Sequence, residues 1–238
     1  PDTQSFQKYK AVDVSPIDSL YSMPFRLKKE ITIDFGEHLT GYFSFSVRST
    51  GLAADGPLRF KLTFGEVPSE VAVSFDSYKE GLSRAWLQDE VVSVMYVPQT
   101  VTLPRRLAFR YIKIELLGSS PYYDFNIHDM KCMAQTSAQN IPEELPQAVD
   151  PMIRKIDRVG LNTLKECMQT VYEDGPKRDQ RLWIGDLYLE ALGNNYSYKQ
   201  HDLTKRCLYL LAGLSDLNGY LLATVIENPV PVSYTHLT

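Results

Sequence analysis

The apolar residues of this chain change their period once, and the change divides it in two. Up to about residue 135 they alternate. Phe43, Phe45 and Val47 stand between polar neighbours, as do Leu58, Phe60, Leu62 and Phe64. Period-two alternation puts one row of side chains on a core face and the other in water. Ile31 and Ile33 continue the pattern, Val91 to Val97 is a short apolar run, and Leu107 to Leu117 is a longer one. Within the last run the apolar parity switches between Phe109 and Ile112. Either a bulge shifts the register there or both faces are covered. Turn signals divide the runs at Asp34-Phe35-Gly36, Ala54-Asp55-Gly56-Pro57 and Gly118-Ser119-Ser120-Pro121. Short strands between such turns predict an antiparallel β-sandwich, jelly roll-like, over residues 1–135.

Ala134 to Pro146 is polar and aperiodic, and residues 136–148 read as a linker. The period then becomes helical. Asp150 before Pro151 is a helix start, with a capping carboxylate followed by Pro where no N–H is needed. Met152, Ile153, Ile156, Val159, Leu164, Cys167 and Met168 recur at helical spacing. Asp202 reads as a second cap. Leu203, Cys207, Leu210, Leu211 and Leu214 follow on one face, with Gly219 as the stop.

Between these helices lies the densest charge in the chain. Residues 173–186 hold Glu173, Asp174, Asp179 and Asp186, the cations Lys177, Arg178 and Arg181, and Trp183. Gly175, Pro176 and Gly185 break the segment, and the apolar run Leu187 to Leu192 follows it. Carboxyl groups beside an aromatic ring at the mouth of a packed element suit glycoside hydrolysis. There, one carboxyl serves as acid and a second as base or nucleophile.

The order Asp174-Gly175-Pro176-Lys177-Arg178-Asp179, followed by Trp183-Ile184-Gly185-Asp186, resembles the active-site signature of bacterial alpha-L-rhamnosidases. The resemblance is strongest over residues 171–188. Asp34-Phe35-Gly36 with Gly41-Tyr42-Phe43 is similar, more weakly, to the sandwich domains of such enzymes. The resemblance implies an inverting glycosidase with a β-sandwich ahead of an (α/α)6 barrel. Residues 149–231 would then be the first helices of a truncated barrel. It implies Asp179 as the general acid that protonates the departing glycosidic oxygen, with an N-cap or an Arg partner as the competing reading. It implies Asp174 and Asp186 as acceptors for sugar hydroxyls, Arg178 as a partner of an acid or of a sugar oxygen, and Trp183 as an apolar face for the ring. Helix capping by Asp186 and plain core packing by Trp183 are the competing readings. Glu173 and Lys177 have weaker claims.

Two departures bear on the roles. Many relatives have Cys in place of Gly175, and many use Glu as the acid. Asp179 is one methylene shorter, about 1.5 Å less reach. A register with one more residue would put the acid position on Gln180, but the ungapped register keeps Asp174 and Asp186 correctly spaced. The family's general base lies far downstream. Glu190 and Glu227 qualify by residue type alone and are set aside, so the chain by itself is expected to have no hydrolytic activity. Two alternatives stay open: a carbohydrate-binding module with a degenerate helical remnant, and an (α/α)6 glycosidase acting on another sugar such as a glucuronide.

The partner expected is a carbohydrate. A net charge of −4 gives no electrostatic reason to expect nucleic acid. No apolar run approaches the roughly 20 residues of a membrane helix. No cofactor is implied, because no acidic cluster has calcium-loop spacing and the four His are scattered. Cys132, Cys167 and Cys207 show neither metal spacing nor a disulfide framework and read as buried, inert thiols. The chain opens on Pro1, so its natural beginning is expected to be missing and the compartment stays unknown. Residues 232–238 read as a non-native tail.

Overall fold

The computed structural model describes residues 9–12, 15–79, 83–214, 216 and 218–225. Glu227 and the tail 232–238 lie outside the described residues. The chain divides into two compact units, Pro1–Ala134 and Gln135–Thr238. The first is rich in antiparallel sheet and the second holds a few helices, a β-sandwich followed by part of a helical barrel.

In the first unit, after helix α1 (Asp18–Tyr21), a long strand β1 (Glu30–Thr50) organises the sheet. Strand β2 (Leu58–Gly65), helix α2 (Pro68–Ala72), β3 (Asp89–Val94), β4 (Gln99–Thr102), β5 (Leu107–Gly118) and β6 (Asp124–Ala134) follow. The strand order is β3-β2-β5-β1-β4, and β6 also pairs with β1. Strand β1 changes partners along its length. Its first part, Glu30 to Gly41, runs against β5, and Gly41 to Thr50 runs against β6. Gly41 sits at the hand-over. A Cβ there would meet the carbonyl of Met133 and the Cα of Ala134, so only Gly lets the strands approach.

The inner face is aromatic. Phe43, Phe45, Phe60, Phe64, Phe109 and Phe125 are fully buried, and so is Phe25 from outside the strands. Phe43 packs edge-on against Phe64 and Phe109, with centroids 5.7 and 6.2 Å away. Such pairs add to the burial of apolar area.

Asp34-Phe35-Gly36 is not a turn, as the sequence suggested, but an irregularity inside β1. The register with β5 shifts between Asp34 and Leu39, opposite the parity switch at Arg110. Gly36 has φ +83° and donates its N–H to the Asp34 carboxylate at 2.7 Å. Arg110 grips the same carboxylate through Nε at 2.7 Å and Nη2 at 2.9 Å. That fork holds the strand together where a free turn would break it. The Arg110 hydrogen bond, chiefly, keeps the Asp34 carboxyl below its ordinary range.

The second unit has helices α3 (Pro151–Cys167), α4 (Ile184–Tyr196) and α5 (His201–Gly213). The Asp150 carboxylate caps α3, accepting from the N–H groups of Met152 at 2.7 Å and Ile153 at 3.4 Å. Asp150→Ala should therefore cost about 1 kcal/mol of helical stability, measurable as a lower urea midpoint at unchanged slope. The segment before α3 is tied to the helices. Thr136 Oγ1 donates to the carbonyls of Lys165 and Met168, and Asn140 Nδ2 to that of Tyr198.

Met152, Ile153, Ile156 and Val159, which recur at helical spacing along α3, are all more than half exposed. Helical spacing identifies an apolar face but not what covers it, and no described residue does. Asp202 is not a cap, because α5 begins at His201 behind Gln200 and Asp202 lies in its first turn. Gly219 does not end α5, which stops at Gly213. It sits in a later turn with φ +81°. Leu203, Cys207 and Leu211 do form the buried face, with Met168, Tyr172, Leu182, Leu187 and Tyr198. Cys167 and Cys207 are buried and Cys132 is only half-buried.

Candidate active site

The charged segment leaves the end of α3 and returns to the start of α4. Its entry is anchored at Tyr172, fully buried, whose hydroxyl pairs with Thr204 Oγ1 of α5 at 2.9 Å. Glu173 is buried and donates its N–H to the Cys167 carbonyl at 2.9 Å. Beyond it the chain closes into a pinched loop. Asp174 N–H donates to the Arg181 carbonyl at 3.1 Å, and Arg181 N–H returns to Asp174 Oδ1 at 3.2 Å. Inside the loop, Gln180 N–H donates to the Gly175 carbonyl at 3.3 Å and Gln180 Nε2 to the Pro176 carbonyl at 2.6 Å.

At the loop's tip, Asp179 and Gln180 have φ +64° and +52°. Two successive non-Gly residues in the left-handed region cost of order 1 kcal/mol or more each. Such strain persists only where surrounding bonds over-determine the backbone, and the Asp174–Arg181 pinch does so here. The strain sets the direction in which Asp179 leaves the chain. Its side chain is only 21% exposed, and its Oδ1 lies 3.7 Å from Arg178 Nε. Asp179 is therefore neither in bulk water nor in a tight bidentate pair. Arg178 itself is half exposed.

The exit is anchored as firmly. Leu182–Trp183 forms a short strand, β7, with Thr224–Val225, β8. Thr224 Oγ1 donates to the Leu182 carbonyl at 3.0 Å, and Ile184 N–H to that of Ala223 at 2.9 Å. Trp183 is the half-buried residue before α4. Asp186 is exposed in the first turn of α4, where the helix dipole favours a negative charge. It is not the cap that the competing reading made it, since α4 starts two residues earlier.

These anchors bring the three aspartates into one electrostatic neighbourhood. The Asp174 carboxyl is held above its ordinary range, first by burial, then by the charges of Asp179 and Asp186, against a backbone hydrogen bond from Arg181. The structure thus places Asp174, Asp179 and Asp186 together, with Arg178 beside Asp179 and Trp183 on the strand between them. Among the described residues, no group of His, Cys, Asp and Glu is arranged to hold a metal ion.

Glu190 was set aside in the sequence, yet it belongs to the same cluster. Burial, with the charges of Asp186, Asp174 and Glu173, pushes its carboxyl up to about 8, while a hydrogen bond with Cys167 opposes the rise. Burial, with the charges of Glu190, Glu173, Glu166 and Asp174, pushes the Cys167 thiol up to about 12, which leaves it inert as a nucleophile. The signal that could have found Glu190 is its spacing of four from Asp186, which puts both on one helix face.

The model of the glycosyl hydrolase family 78 alpha-rhamnosidase N-terminal domain matches residues 1–134. That of the bacterial alpha-L-rhamnosidase 6 hairpin glycosidase domain matches residues 147–236. Among solved structures, the chain is similar to a rhamnosidase from Klebsiella oxytoca with rhamnose bound. Identity is 39% and the TM-score 0.89, over 96% of this chain and 44% of that one. Two others share the fold at TM-score 0.63 over 82% of this chain. One is a GH78 family rhamnosidase of Bacillus SP. GL1, with 22% identity over 19% of its length. The other is an alpha-L-rhamnosidase from Dictyoglumus thermophilum, with 17% identity over 21% of its length. The chain therefore spans less than half the length of each of these relatives. No curated protein matches it. The sheet unit, the strained acidic loop and these matches agree: the chain belongs to the glycosyl hydrolase family 78 alpha-rhamnosidases.

Proposed function

We propose that this chain is the sandwich and first barrel helices of an inverting alpha-L-rhamnosidase that removes terminal alpha-L-rhamnosyl residues from glycans or glycosides. The convergence of Asp174, Asp179 and Asp186 on one pinched loop and the helix after it carries this reading. The rhamnose bound to the Klebsiella oxytoca relative supports the substrate class. Asp179 protonates the departing glycosidic oxygen, and its limited exposure and set backbone suit a group that must meet one atom. Asp174 and Asp186 accept hydrogen bonds from the sugar hydroxyls, Arg178 holds an acid or a sugar oxygen, and Trp183 offers the ring an apolar face. A general base on the opposite side, with room for water, completes the inverting mechanism. That base lies beyond the residues of this chain, so the chain alone hydrolyses nothing.

The test is NMR of the first sugar released from an aryl alpha-L-rhamnoside. The complete enzyme should release the beta anomer, and the 238-residue chain should release none. Release of the alpha anomer would contradict inversion, and turnover by the chain alone would contradict the downstream base.

A further inference from the structure

Glu190 follows Asp186 by one turn of α4, so both side chains rise from the same face. Its Oε2 is buried and has no hydrogen-bond partner among the described residues. The charges of Glu173 and Asp174 in the loop and of Asp186 on its own helix act on it, and the Cys167 thiol at the end of α3 hydrogen-bonds to it. Its charge is also felt at Tyr172 and at Cys207 on α5. An ionised carboxylate in this place would lose its hydration and meet like charges from two directions. A protonated one meets neither cost. With Cys167 it lines an open cleft of about 870 Å³ between α3 and α4, which gives its proton a route to solvent.

We propose that Glu190 is a positioning residue of the Asp174–Asp186 pair: it carries a proton behind them, so that the pair meets the sugar with its own two charges and no third. The sugar-facing part of this role rests on the function proposed above, but the proton on Glu190 does not. While Glu190 is neutral, Asp174 and Asp186 stay free to accept hydroxyl hydrogen bonds. When it ionises, near pH 8, a third negative charge stands behind the pair, and its repulsion moves the aspartates out of register with the sugar hydroxyls.

Infrared difference spectroscopy of this chain across a pH titration tests the proton directly. A protonated-carboxyl C=O band is expected at neutral pH, fading as pH passes about 8 and missing from Glu190→Gln. Absence of the band from the wild type, or its survival in the variant, overturns the proposal. Should the variant fail to fold, the wild-type band decides alone. In the complete enzyme, KM for an aryl alpha-L-rhamnoside should rise at least about threefold through this range, and Glu190→Gln should abolish the rise. An equal rise in the variant overturns the positioning role even where the band titrates. A wild-type enzyme with no rhamnoside turnover would sink the proposed function while leaving the titration to stand.

Discussion

Asp179→Asn should lower turnover of an unactivated alpha-L-rhamnoside by the complete enzyme about 10³-fold, within the range for loss of a general acid. The substitution is unusually clean at this position. Asp179 has φ +64°, and Asn is one of the few side chains that tolerates the left-handed region. The backbone strain, the loop pinch and the side-chain shape all survive, while the transferable proton does not. Asp179→Ala would confound the result, since it would also disturb the tip of the loop. Circular dichroism and melting of the Asn variant should match the wild type, so that lost rate reports lost chemistry.

Glu190→Gln should stabilise the helical unit at alkaline pH. A carboxyl raised in the folded state binds its proton more tightly folded than unfolded. Between its unfolded value of 4.5 and its folded value of about 8, the native state holds the extra proton. Wild-type stability therefore falls as pH rises through this window and levels off above it. Such a rise corresponds to at most roughly 5 kcal/mol. Side-chain relaxation and water entry relieve part of the cost, so a gain of about 2–3 kcal/mol is expected for the variant above the window. Below it the two proteins should unfold alike. Urea unfolding across the pH range, followed by the fluorescence of Trp183 with Trp86 replaced by Phe, measures both limits. Parallel wild-type and variant curves would show that Glu190 titrates normally.

Much of the sandwich was legible because burial there is local in sequence. Phe43, Phe45, Leu58, Phe60, Leu62 and Phe64 alternate, and all are fully buried. The irregularity at Asp34-Phe35-Gly36 was misread as a turn because its partner, Arg110, lies far away in sequence. No local signal carries that fork. Helix α3 shows the opposite problem: its cap was readable at Asp150, but its apolar stripe says nothing of what covers it.

The loop could be placed by motif but not by physics alone. Spacing put Asp174, Asp179 and Asp186 in one segment. Their convergence depends on the Asp174–Arg181 pinch and on β7 pairing with Thr224–Val225, some forty residues on. The left-handed tip has no sequence signature either, since neither Asp179 nor Gln180 is Gly. Glu190 was missed because a lone Glu on a helix usually faces water. Only the fold shows that this one does not.

In the proposed mechanism Asp179 gives its proton to the leaving oxygen. The direct measurement compares Asp179→Asn with wild type in the complete enzyme on two alpha-L-rhamnosides, one with a poor alkyl leaving group and one with a dinitrophenyl group that departs without protonation. Proton donation by Asp179 requires a loss of about 10³-fold on the first and a loss under about tenfold on the second. Equal losses on both would mean that Asp179 holds the sugar or the loop and that the proton comes from another group.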